Sequence, residues 1–94
     1  MLWVFAIKDK TGRVIHLSKE RWSHIQKHPE MSGKLEHIKE ALQKPQLIQG
    51  FSYDPAMKFY YNYDKSEKKY LFISVKYLNG EGFVITSFFT DRIK

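Results

Sequence analysis

Tyr70-Leu71-Phe72-Ile73-Ser74-Val75-Lys76-Tyr77 decides the fold. Leu71, Ile73 and Val75 fall on one side of an extended backbone, while Phe72, Ser74 and Lys76 share the other. That is the period of two that a strand requires. The stretches Leu47 to Tyr53, Met57 to Tyr63 and Phe83 to Thr90 are strand-like in the same way. Asp54-Pro55, Asp64 to Lys69 and Leu78-Asn79-Gly80-Glu81-Gly82 carry turn chemistry between them. Three successive hairpins therefore predict a four-stranded antiparallel meander.

Upstream of Pro45 the period lengthens. Leu35, Ile38, Ala41 and Leu42 repeat at three and four residues, so Ser32 and Gly33 are read as the start of a helix and Pro45 as its end. An earlier helix is expected from Lys19 to Lys27. Ser18 is placed to cap its first N–H groups, and Glu20 faces the positive end of its dipole. Pro29 lacks a donor and turns His28 away from helical geometry, which stops or kinks the helix there. Leu2 to Lys8, the turn Asp9-Lys10-Thr11-Gly12 and Val14 to Leu17 read as an opening hairpin. The expected class is α+β: an N-terminal hairpin and two helices, then a four-stranded antiparallel sheet, in one domain spanning 1–94.

Composition agrees with a single core. The chain has 94 residues, 43% of them apolar and 16% aromatic, whereas disorder needs low hydrophobicity with high net charge. It contains no cysteine, which removes disulfides, thiolate metal sites and cysteine nucleophiles together and fits a reducing compartment. The apolar start, MLWVFAI, ends at Lys8-Asp9-Lys10, too short for a signal peptide or a membrane span. A cytoplasmic protein without a membrane partner is expected. The net charge of +6 and a pI near 9.6 favour a polyanionic partner, nucleic acid or an acidic protein.

Arg21, His24 and His28 are related by three, four and seven residues, and on a helix they border the apolar stripe of Trp22 and Ile25. Two imidazoles can divide the base and acid roles, and a guanidinium can grip a phosphate in bidentate fashion. Those are the needs of RNA cleavage through the 2′-hydroxyl. The same residues also read as a capping and packing set. A zinc site is disfavoured, because Ile25 follows His24 where HExxH needs a glutamate, and Glu30 alone does not complete the ligands. No metal and no cofactor are expected. Phe59-Tyr60-Tyr61-Asn62-Tyr63 puts alternate rings on opposite faces, so Tyr60 or Tyr61 can offer a base a stacking surface or join the core. Lys76 can meet a phosphate or stay solvated, and Thr86 and Ser87 interrupt the last apolar run. Arg92 belongs to a basic end, Arg92-Ile93-Lys94, and is counted with Lys76, Tyr60 and Tyr61 as a candidate RNA-binding residue.

The order Ile15-His16-Leu17-Ser18, Arg21-Trp22-Ser23-His24-Ile25, His28-Pro29-Glu30, Pro45, Tyr60-Tyr61 and Gly82-Phe83-Val84-Ile85-Thr86-Ser87-Phe88-Phe89-Thr90 resembles the phage-associated branch of the barnase, EndoU, colicin and RelE-like (BECR-fold) nucleases. The resemblance runs from about Val14 to Ile93, and W-x-H-I-x-x-H-P-E is its most specific part. It implies helices before a curved four-stranded antiparallel sheet and a metal-independent endoribonuclease, often a toxin or effector, with RNA as substrate and an acidic inhibitor or antitoxin protein as partner. By position it implies catalytic roles for Arg21, His24, His28 and Thr86, with Glu30 in the helix motif. Phe88 stands near where family members commonly have a tyrosine, so that phenol is missing here. The contrasting expectation is a non-catalytic module that binds RNA or an acidic protein through Lys76, Tyr60, Tyr61 and Arg92.

Overall fold

The computed structural model describes residues 3–93. Leu2, the expected start of the first strand, and the terminal Lys94 lie outside the described residues. The order is β1 Trp3–Lys8, β2 Val14–Ser18, α1 Lys19–Ile25, a 3-10 turn Pro29–Met31, α2 Leu35–Gln43, β3 Leu47–Phe51, β4 Asp54–Asp64, β5 Lys69–Leu78 and β6 Glu81–Thr90.

The expectation of a four-stranded antiparallel sheet preceded by a separate hairpin is corrected here. All six strands form one mixed sheet in the order β1-β2-β6-β5-β4-β3. The meander from β3 to β6 is antiparallel throughout, but β2 joins it by a parallel pairing with β6, Ile15 opposite Gly82 and His16 opposite Phe83. The free edge of β6 needs backbone partners, and the opening hairpin supplies them. Local periodicity carries no information about a pairing between segments so far apart in the chain.

Smaller corrections have local causes. Asp54 and Pro55 begin β4 instead of forming a turn. Chain reversal falls on Ser52-Tyr53, and the register breaks between Gly50 and Phe51. Pro55 is tolerated there because this strand start does not use its absent N–H in the ladder. Helix α1 stops at Ile25, not Lys27, with His28 already extended before Pro29. Its expected cap is present: Ser18 Oγ accepts from the Arg21 N–H at 3.0 Å.

Both helices and the 3-10 turn pack on one face of the sheet. Ile25, Met31, Ile38, Ala41 and Leu42 meet Phe5, Ile15, Leu17, Tyr60, Leu71, Ile73, Val75, Tyr77 and Val84 in one core, with Trp22 half-buried against it. One end of this core is polar. Asp9 is buried, and its Oδ2 accepts hydrogen bonds from the hydroxyls of Tyr60 and Tyr77, the latter at 3.0 Å. Its Oδ1 accepts from the backbone N–H and hydroxyl of Thr11 and from the Arg13 N–H, which shapes the first turn around Gly12. Among the described residues no helix is long and apolar enough to cross a membrane.

Candidate nucleic-acid interface

The second face of the sheet has no helix over it among the described residues. Since Leu71, Ile73 and Val75 point into the core, Phe72, Ser74 and Lys76 point away from it, and the register extends this face across the neighbouring strands. Tyr61, Phe72 and Phe88 form one row, Phe59, Ser74 and Thr86 the next, and Met57, Lys76, Phe83 and His16 a third. The rings meet edge to face or tilted. The Phe72 centroid lies 4.8 Å from Phe88, 5.3 Å from Phe59 and 5.4 Å from Tyr61, and Phe51 lies 5.4 Å from Phe59. Aromatic pairs favour such offset geometry, so the platform is held by its own ring contacts.

These five rings, with Gln49, Gly50, Ser52, Thr90 and Arg92, line a groove of about 490 Å³. Beside it Tyr53, 88% exposed, sets its ring 5.5 Å from Phe51. No acidic residue lines the groove, and Arg92 is its one charged side chain among the described residues. Farther along the same face Lys76 is paired with Asp54. The hydrogen bonds from the Lys76 ammonium and the Ala56 N–H hold the Asp54 carboxyl below the ordinary aspartate range. His16 stacks between Trp3 and Phe83, at 4.5 and 5.1 Å, with its Nε2 2.6 Å from Glu81 Oε1.

The residues singled out in the sequence are distributed over both faces. Arg21 and His24 stand exposed on α1, and His28 is exposed beyond the helix end. The early stop of α1 means that no continuous helical face carries all three. Thr86 is opposite Ser74 on the helix-free face, so the sheet separates it from the α1 residues. Its backbone N–H donates to Ser74 Oγ at 3.2 Å. Tyr60 is wholly buried on the helix side, where it bonds Asp9 and presents no ring to a ligand. Burial and hydrogen bonding to Asp9 and Tyr77 raise its phenol far above the ordinary tyrosine value. Tyr77 is likewise pushed up by burial, to about 12, with the hydrogen bond to Asp9 adding to the rise. Tyr61 belongs to the groove, as does Arg92, and Lys76 shares their face. No cluster of three or more His, Asp or Glu side chains placed to hold a metal ion occurs among the described residues.

Sequence reasoning flagged the run Phe59 to Tyr63 for stacking and put Phe72 on the face away from Leu71, but it passed over Phe51, Phe88 and Gln49, which complete the groove, and the pair His16 and Glu81. Alternation places Phe59 with Tyr61 and sets Phe72 apart from Leu71. It could not tell which side the helices would cover. No protein family matches this chain, and no curated protein or solved structure matches it.

Proposed function

We propose that this chain binds single-stranded RNA across the helix-free face of its sheet. The reading is carried by the continuous set of rings Phe51, Phe59, Phe72 and Phe88, packed over the buried Tyr61 at the groove floor, on a face with no acidic residue in its groove, in a protein of net charge +6. Stacking on aromatic rings is worth about 1 to 3 kcal/mol per base and tolerates any sequence, because every base has a π-face. Paired duplex hides those faces, so the ligand is single-stranded. Arg92 and the general basic field attract the phosphates. A cytoplasmic setting goes with this reading, since RNA is the abundant single strand there. The test is equilibrium binding of a fluorescent oligoribonucleotide at several salt concentrations. Affinity falling as salt rises is expected from counterion release, and no binding at low salt would overturn the reading.

Cleavage of RNA that reaches α1, on the other side of the sheet from the rings, is the second reading, favoured by the exposure of Arg21, His24 and His28 together on one short stretch. In it the 2′-oxygen attacks phosphorus as one histidine takes its proton, and the 5′-oxygen leaves with a proton from the other. The product end is a 2′,3′-cyclic phosphate. Thr86, across the sheet, has no part in that site. Purified protein that cuts single-stranded RNA in EDTA and leaves this end supports the reading; a toxin or effector role would further require that expressing the wild-type chain, but not His24→Ala, arrests growth. Intact RNA after prolonged incubation removes it.

A further inference from the structure

We infer that the groove beside Phe72 and Phe88 is a pocket for one unstacked nucleobase of the bound strand, with Gln49 facing the base edge and Arg92 the adjoining phosphate. This rests on the RNA-binding reading above and names what the groove recognises. The volume of about 490 Å³ falls within the roughly 300 to 1,000 Å³ usual for small-ligand clefts. Its walls are chiefly flat rings, which suit a flat heteroaromatic partner: Phe59, Tyr61, Phe72 and Phe88 from three adjacent strands, and Phe51 from the edge strand.

Polar groups are few and placed where a nucleotide needs them. Gln49 pairs with Phe59 in the β3–β4 register, so its amide shares the face of the rings. An amide offers both a donor and an acceptor, which lets it meet the edge of a base in either sense. Arg92 lies just past the end of β6, exposed, as the single charge on the lining among the described residues. Guanidinium groups bind phosphate oxygens in pairs. An apolar peptide side chain would fill the same rings but would engage neither the Gln49 amide nor the Arg92 guanidinium, whereas a nucleotide meets both, the base edge at one and the phosphate at the other. Charge complementarity thus selects a nucleotide.

The experiment compares a labelled oligouridylate with an oligonucleotide of equal length built from abasic ribose units, against the wild-type chain, Gln49→Leu and Arg92→Glu. Both substituted positions lie at the surface or the edge strand, and matching circular dichroism melts confirm that the variants fold. The wild-type chain is expected to bind the abasic strand at least about fivefold more weakly, from the lost stacking of one base. Gln49→Leu weakens the base-bearing strand alone, and Arg92→Glu weakens both. Equal binding of the two strands, unchanged by Gln49→Leu, overturns the base pocket while RNA binding stands. Failure of both strands to bind overturns the pocket together with the reading beneath it. Saturable binding of an apolar peptide in place of either strand would assign the groove to a protein partner instead.

Discussion

Gly82 faces Ile15 where β2 meets β6 in parallel, and a β-carbon on Gly82 would overlap the Ile15 Cδ1 methyl and press on Val75 Cγ1 and Tyr77 Cε1. The junction that turns a four-stranded meander into a six-stranded sheet therefore depends on a missing side chain. Gly82→Ala is expected to lower stability by about 1 to 3 kcal/mol through overpacking. Denaturant unfolding checks this: the midpoint should fall while the slope stays constant. An unchanged midpoint would mean that the hairpin does not dock as described.

Asp9 gives the fold a dependence on acid. Burial pushes its carboxyl up, but the hydrogen bonds from Tyr60, Thr11, Tyr77 and the Arg13 N–H outweigh it, and the group sits below the ordinary value of 3.8. A carboxyl whose value is lowered by folding stabilises the folded state above its unfolded value, and that contribution disappears as pH falls through the folded one. Stability should be flat near neutrality and decline as pH drops below 3.8. Asp9→Asn should cost about 1 to 3 kcal/mol at neutral pH by disturbing the buried hydroxyls, and its acid decline should be shallower than that of the wild-type chain. Parallel declines in the two proteins would locate the acid sensitivity elsewhere.

Trp22 is half-buried against the core on the helix side. Trp22→Ala should cost about 2 kcal/mol, less than the roughly 3 to 5 kcal/mol of a fully buried tryptophan. RNA affinity should not change once the variant is folded. A stable variant with lost affinity would make Trp22 a stacking residue and move the interface to α1.

Local chemistry made most elements legible. Ser18 caps α1, the three- and four-residue spacing of Leu35, Ile38, Ala41 and Leu42 marks α2, and alternation in Tyr70 to Tyr77 sets the face of every residue in β5. Two things were hidden for one reason. The pairing of Ile15 with Gly82 and the choice of which sheet face the helices cover both depend on long-range packing, which leaves no periodic trace. That second choice sent Tyr60 to the core beneath the helices and Tyr61, its neighbour and also buried, to the floor of the groove on the other face. It also left Thr86 across the sheet from His24, although both lie in stretches that the sequence marks as chemical.

His24→Ala separates binding from cleavage. Since α1 lies on the other side of the sheet from the rings, RNA affinity should stay within about twofold, while any cleavage seen in EDTA should fall by about a hundredfold or more, the usual worth of a positioned acid or base. Binding and single-turnover cleavage are measured on the same preparation. Full activity in the variant would remove His24 from the reaction.

The location of the RNA is the central claim, and amide and aromatic-ring NMR shifts on titration with single-stranded RNA test it most directly. Saturable shifts are expected at Phe59, Tyr61, Phe72, Phe88 and Arg92, with those of Arg21, His24 and His28 small. Shifts concentrated on Arg21 to His28, with the rings of the helix-free face unmoved, would contradict it.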